Sequence, residues 1–348
     1  MDDYALACFY KYHFDSHGQS PNAACPTVRD EALLACMKAL GLATQASVIR
    51  SPHLAAGARG FYVAGINHTN AALSSSCTAS LDSTLLAVIM LSYFENTTGT
   101  DSRSLTAWSQ HVSGCAALIQ LRGKEQMQRG EGRLLFAMAA GNMLSDCARA
   151  HARVPAFVAE LMEATRELPQ YASDPVWVIL HSWMQVVDFY SDMTDGRVGD
   201  APAVVERALL IDQELSSAFD NASTHWAFET LPAPRQYSDE TGAPSYVHWY
   251  GNAFAGQQWT ALRNGRIILH SVIGDTIQKA ARLALLAPIY NTQLQASAKL
   301  VRDLQMDILA TAPQYLGAAK PLSSQTSSGK TTVTRDHDHR TGADLRFR

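Results

Sequence analysis

Apolar residues recur at three- and four-residue steps along nearly all of residues 1–318, a period that only helices packed on helices can use. Trp108, Val112, Cys115, Leu118 and Ile119 form one such stripe, and Gly123 stops it just after Leu121 and Arg122. Asp174-Pro175 reads as a helix cap followed by proline at the first helical position, ahead of the run Val176, Trp177, Ile179, Leu180, Trp183 and Val187. Asp200 with Pro202 opens a further helix through Val204, Leu209 and Leu215. A long helical pattern is expected from Tyr246 through Trp259, Leu262, Ile267 and Leu269. The last clear helix carries Leu300, Leu304 and Ile308 and is expected to end at Pro313 and Gly317. No pair of alternating β-branched runs flanks an Asn-Gly or Asp-Gly turn. The expected fold is all-α: a multi-helical bundle of helix hairpins, about ten or more helices, with no significant sheet.

Loops are expected near Asp15–Pro26, Asn96–Ser104, Asp192–Asp200 and Leu231–Pro244. The last is rich in Pro, Ser and Gly, so residues 231–245 could divide one helical domain, 1–318, into subdomains. No tandem repeat of fixed period occurs. Residues 319–348 are rich in Ser, Thr, Lys, Asp and His, cannot repay the entropy of ordering and are expected to be disordered.

With 47% hydrophobic residues and a formal net charge of −4, the 348-residue chain can bury a large core and shows no run of Lys and Arg. Direct DNA binding rests on a basic patch, so this balance does not point to it. Met1–Phe14 holds no apolar core of signal-peptide type, and the apolar stretch Leu85–Met90 is short of the roughly 20 residues a bilayer needs. These features read as a soluble intracellular protein with no membrane partner. The triplets at Asn67, Asn96 and Asn221 fit the glycosylation pattern by chance.

Six cysteines, Cys8, Cys25, Cys36, Cys77, Cys115 and Cys147, match the number a binuclear zinc cluster uses. Their spacing does not: no C-x2-C occurs, and one tetrahedral metal needs thiolates presented closely together. They read as free, mostly buried thiols, and no metal or cofactor is expected. Catalytic candidates read the same way. His111, with Asp101 ahead of it, is expected to be a helix histidine with a structural hydrogen bond. Asp82 is expected to cap a helix or face its dipole. Asp336, His337, Asp338 and His339 could ligate a metal but have no scaffold around them. Ser328-Gly329-Lys330-Thr331 echoes a phosphate loop but has Ser324 where that loop needs glycine. Trp177, Trp183, Tyr190, Trp226, Phe228, Trp249, Phe254 and Trp259 are expected to pack a core, with a small-molecule pocket as the alternative. No catalytic, cofactor-binding or metal residue is assigned, and no enzyme is expected.

Four segments in order carry a resemblance. Asp3–Tyr10 contains "ALACF", and Ser80–Glu95 fits D-x-T-L-x-A-V-x-x-L-x-x-F-E. Trp108–Gly123 is like W-x-x-H-x-x-G-A-x-x-L-I-x-x-R-G, and Leu300–Gly317 is like D-I-x-A-S-V-P-x-x-L-G. The stretch Trp259–His270 is similar to an R-x-L-L-H helix. Together these resemble the fungal-specific transcription factor domain, the helical regulatory region of fungal zinc-cluster transcription factors. In that resemblance Trp108, Gly114 and Gly123 serve packing, close helix approach and helix termination.

The resemblance implies a transcription regulator of fungal type, located in the nucleus. It implies protein partners, a homodimer or the transcription machinery, and DNA only indirectly, through a zinc-cluster module that these residues do not contain. The family's zinc cluster, basic linker and helices beyond the P-x-x-L-G segment have no counterpart here, so the chain is expected to be a truncated or divergent member acting as a regulatory and interaction domain. A metabolite-binding helical sensor with a small-molecule effector is one alternative. An unrecognised enzyme of a metabolic gene cluster is the other.

Overall fold

A computed structural model describes residues 1–11, 30–99, 101–166, 168, 171, 174–197, 199–233, 242–282, 289–315 and 333–334. The chain divides into two compact units. The first takes residues 1–150 and 154–167, the second 151–153 and 168–348. The segment 231–245 lies inside the second unit. Among the described residues there are twelve α-helices and one small sheet, which makes the fold predominantly all-α.

The first unit comprises α1 (Asp2–Phe9), α2 (Glu31–Ile49), α3 (Pro52–Leu73), α4 (Ser76–Ala79), α5 (Asp82–Thr98), α6 (Ser102–Arg122), α7 (Gly130–Ala150) and α8 (Ala156–Arg166). A 3-10 turn, Lys124–Gln128, joins α6 to α7. The sequence sets most of these boundaries. Asp30 accepts a hydrogen bond from Leu33 N, and Asp101 accepts from Arg103 N and Ser104 N, each satisfying donors that the first helical turn leaves open. Ser51 does the same for α3, with Pro52 behind it. Gly123, at φ 59°, ends α6 where the sequence placed the stop.

α2 is the hub. It is apolar over most of its surface, with Glu31, Lys38 and Gln45 on one polar face, and 11 of its 19 residues are buried, with α1, α3 and α5 as its neighbours. Its mean hydropathy of 1.6 is enough for a membrane span, unlike the shorter stretch Leu85–Met90. Length and apolarity alone do not separate a span from a core helix, and here three neighbouring helices take up the apolar surface. Gly41 lets α1 approach: a Cβ there would lie 2.4 Å from the Ala5 carbonyl oxygen and 2.5 Å from Phe9 N.

The second unit holds α9 (Pro175–Thr194), α10 (Ala201–Ser216), a 3-10 turn (Thr224–Trp226), β1 (Phe228–Pro232), β2 (Tyr246–Tyr250), α11 (Ala253–Arg282), α12 (Ile289–Tyr315) and β3 (Val333–Thr334). Asp174 and Asp200 cap α9 and α10 as the sequence indicated, each with proline in the first turn. One apolar cluster gathers Val186, Phe189, Val205, Ile211, Leu269 and Ile273. A second surrounds Phe219, Phe228, Tyr250 and Trp259. β1 pairs antiparallel with β2 from Phe228↔Tyr250 to Pro232↔Tyr246, and with β3 at Phe228↔Thr334 and Glu229↔Val333, in the order β2-β1-β3.

One helix limit differs from the sequence reading, and one is held by contacts the sequence does not display. Tyr246–Tyr250 is a strand, not the start of the long helix. Its run of Tyr, Val, His, Trp and Tyr favours a pleated surface. The helix starts only at Ala253, where the Asn252 side chain accepts from Ala255 N at 2.7 Å. At the other end, α12 runs through Pro313 to Tyr315. Its last turn is held from outside: Gln314 bonds both backbone groups of Tyr250 at 2.9 and 3.0 Å, and the Tyr315 hydroxyl donates to the Ala253 carbonyl at 2.9 Å. Gly317 and the rest of 319–348 other than Val333 and Thr334 lie outside the described residues, as does the whole loop expected at Asp15–Pro26.

Candidate functional site

α5 and α6 are neighbouring helices in chain order joined by a short connection, and their motif residues meet at both ends of the pair. At one end stands Asp82, in the first turn of α5. Of its two expected roles, the cap is corrected, since Leu81 holds the N-cap position and α5 has no side-chain cap, while its place in the first turn is the one that faces the helix dipole. The Asp82 carboxylate instead accepts from the Arg122 guanidinium at the end of α6 and from Arg129 Nη2 at 2.9 Å. Burial raises its pKa, but the two arginine hydrogen bonds outweigh that and hold it below the usual carboxylate range. Arg122 also donates from Nη1 to the Ser80 carbonyl at 3.3 Å, and its side chain is only 4% exposed.

At the other end, Glu95 closes α5. Tyr62 on α3 donates its hydroxyl proton to Glu95 Oε1 at 2.5 Å, and the same hydroxyl oxygen stands 2.8 Å from His111 Nε2 on α6. With the tyrosine proton committed to Glu95, Nε2–H of His111 is the donor of the second bond. Burial lowers the His111 pKa against the opposing pull of Glu95, which favours the neutral ring. The Tyr62 ring stacks on Phe94 at 4.3 Å. His111 is thus the structural hydrogen-bonding histidine expected from the sequence. Asp101 is spent on the α6 N-terminus. The polar motif residues Asp82, Glu95, His111 and Arg122 hold helices together, and Tyr62 is the link the sequence reading missed. Between the two ends, a Cβ on Gly114 would meet Val88 Cγ1 at 3.5 Å, an ordinary contact, so close helix approach does not demand glycine there.

The second unit carries buried polar groups that the sequence reading did not single out. Arg263, Arg266 and His270 recur on α11 at helical spacing inside an apolar pattern, and that spacing was the available signal. Arg266 makes a two-pronged contact with Asp212, at 2.8 and 3.2 Å. His270 Nδ1 lies 2.9 Å from Ser297 Oγ, and Nε2 lies 3.3 Å from Asp212 Oδ2. Burial raises the Asp212 pKa, but the contacts with His270 and Arg266 prevail and lower it. The order hydroxyl, imidazole, carboxylate is that of an activated nucleophile. Yet Ser297 is 1% exposed and also receives a hydrogen bond from Gln293, so no substrate carbonyl can reach it in this conformation. The array pins α10, α11 and α12.

Arg263 is fully buried. It donates to the Tyr250 hydroxyl at 2.6 Å, faces His248 Nδ1 at 3.2 Å, and lies over the Phe228 and Trp259 rings. The aromatic set expected to pack does so. Phe219 stacks on Trp259 at 4.1 Å, and the indole N–H groups of Trp183 and Trp259 reach the Ala261 and Trp226 carbonyls. None of the eight residues lines the open hollow of about 570 Å³ formed by Pro244, Tyr246, Asp303, Met306 and Asp307 with Ala243 and Ser245.

Cys8, Cys36 and Cys115 are buried free thiols, Cys147 is half-buried and Cys77 exposed. Burial pushes Cys36 and Cys115 up to about 12, so neither is a thiolate near neutral pH. Among the described residues no three His, Cys, Asp or Glu side chains converge as a metal site. Cys25, Ser328–Thr331 and Asp336–His339 lie outside the described residues.

Residues 25–140 match the family model of the fungal specific transcription factor domain. The chain matches no curated protein and no solved structure. The matched stretch runs through α2–α6 into α7, so it contains both polar contacts, Asp82–Arg122 and Glu95–Tyr62–His111. Two of the four resembling segments, Ser80–Glu95 and Trp108–Gly123, fall within it; Asp3–Tyr10 and Leu300–Gly317 fall outside. The matched family is one of transcription factors, and the match, over about a third of the chain, suggests transcription regulation as the class of function.

Proposed function

We propose that these residues act as a regulatory and interaction domain of a fungal-type transcription regulator, in the nucleus, without reading DNA themselves. The observation that carries this is how the family-matched helices spend their chemistry. Asp82, Glu95, His111 and Arg122 are consumed in holding α3, α5 and α6 together, which makes a firm helical module. Its function is then delivered by its surfaces, through protein partners, with DNA reached through a module that supplies the reading head.

Charge supports the indirect route. DNA affinity comes from arginines and lysines free to neutralise phosphates. Here Arg122 and Arg129 face Asp82, Arg149 faces Asp146, and Arg153, Arg197 and Arg207 face Asp192.

The test is a pair of assays on the intact chain. Fused to a heterologous DNA-binding module, it should change reporter output and concentrate in the nucleus. Alone, it should shift no DNA fragment at physiological salt. A fusion that leaves the reporter unchanged, or salt-sensitive DNA binding by the chain alone, would refute the reading.

A further inference from the structure

The sheet order β2-β1-β3 seats a piece of the polar C-terminal stretch on the outer edge of β1. β2 covers the inner edge over five residue pairs, and β3 covers the outer edge at two, Phe228↔Thr334 and Glu229↔Val333. The seated pair is not arbitrary. In sequence, Val333 and Thr334 close the run Thr331-Thr332-Val333-Thr334, four β-branched residues set in a stretch of Ser, Gly, Lys, Asp and His.

The template beneath is firm. Phe228 is buried, packs edge-on against Trp259 at 5.2 Å and lies under the Arg263 guanidinium. A strand edge anchored in this way offers main-chain groups in a fixed register, the chemistry by which extended peptides add to sheets. Pro232 ends β1, a residue sheets tolerate at edges and strand ends.

We propose that the outer edge of β1 is a docking edge for an extended β-branched segment, and that its resident occupant is the Val333–Thr334 strand of the same chain. Two residue pairs make a short grip. A tethered strand holds it because its effective concentration is on the order of millimolar. A partner strand that pairs over more of β1 displaces it. The inference is independent of the family match, because β1 and this segment lie outside residues 25–140.

The experiment compares the intact chain with Thr334→Pro, which removes the backbone donor that faces Phe228, and Thr334→Val, which keeps it. Hydrogen exchange at Phe228 should be at least about threefold faster in Thr334→Pro and unchanged in Thr334→Val. A dye-labelled peptide of sequence Gly329–Asp336 should bind Thr334→Pro at or below about 1 mM and bind the unmodified chain at least about tenfold more weakly. Equal exchange in all three chains overturns the resident occupant. Peptide binding that is absent from Thr334→Pro, or equal in both chains, overturns the docking edge. Protection that rises with protein concentration assigns the strand to a second copy and overturns the same-chain seat.

Discussion

Tyr62→Phe removes one oxygen and leaves the ring where it is, still able to stack on Phe94 at 4.3 Å. What it takes away is the joint of a three-residue chain. Glu95, 9% exposed, loses the donor at 2.5 Å, and His111 loses its acceptor at 2.8 Å. Leaving a buried polar group unmet costs about 1–3 kcal/mol, more than the net gain of an ordinary hydrogen bond. In a cooperative unit of this size each kcal/mol moves the melting midpoint by roughly 2–4 °C, so the expected fall is about 2–12 °C. Scanning calorimetry is the suitable assay, because the two compact units can melt as separate transitions and only the first should move. A double-mutant cycle with Glu95→Gln should show a coupling above about 0.5 kcal/mol, since the two groups share one bond. A Tyr62→Phe chain that melts with the unmodified one, or strictly additive single effects, would refute the claim that this contact fastens α3 to α5 and α6.

Two glycines should behave in opposite ways. Gly41→Ala would drive a Cβ to 2.4 Å from the Ala5 carbonyl and should part α1 from α2, lowering the first transition by several degrees, whereas Gly114→Ala meets only Val88 at 3.5 Å and should leave it unchanged or raise it by the ~0.5–1 kcal/mol that alanine gains over glycine in a helix. If both fall alike, the close-approach argument fails. Asp212, whose pKa is lowered in the fold, contributes stability that is complete above the ordinary carboxylate range and is lost as pH falls through its depressed value. Asp212→Asn should therefore flatten the acid limb of the second unit's stability curve, measured as midpoint against pH; an unchanged limb would contradict the pairing with Arg266 and His270. Ser297 should remain unlabelled by a fluorophosphonate probe in the native chain, and labelling found by mass spectrometry would reopen hydrolytic chemistry at the His270 array.

The helices were legible because their punctuation is local. Asp174-Pro175, Asp200 with Pro202, and Gly123 each announce a boundary through groups within a few residues, and each boundary stands where it was read. The strand Tyr246–Tyr250 was not legible, because aromatic and β-branched residues satisfy both periods over so short a run. The choice is made by pairing with Phe228–Pro232, which no local pattern displays. α12 reaches Tyr315, inside the expected Pro313–Gly317 end, but what holds its last turn was not legible for a similar reason: Gln314 and Tyr315 are held by Tyr250 and Ala253, some sixty residues away. At the site, His111 could be read as structural from its place in an apolar stripe. Its partners could not, since Tyr62 and Glu95 reach it across two other helices. Arg263, Arg266 and His270 did leave a trace, as polar residues at core positions of one helix face, but Asp212 and Ser297 complete that group only in three dimensions.

α2 gives stability in the first unit a second meaning. Its 19 residues carry the hydropathy of a bilayer segment and are kept from acting as one by α1, α3 and α5. Any lesion that loosens this wrapping, at Gly41 or at the neighbours of Cys36, also unmasks a signal that insertion and degradation machinery can read. A variant in which this wrapping is loosened should therefore expose a long apolar helix and be lost to aggregation or proteolysis before its surfaces meet any partner.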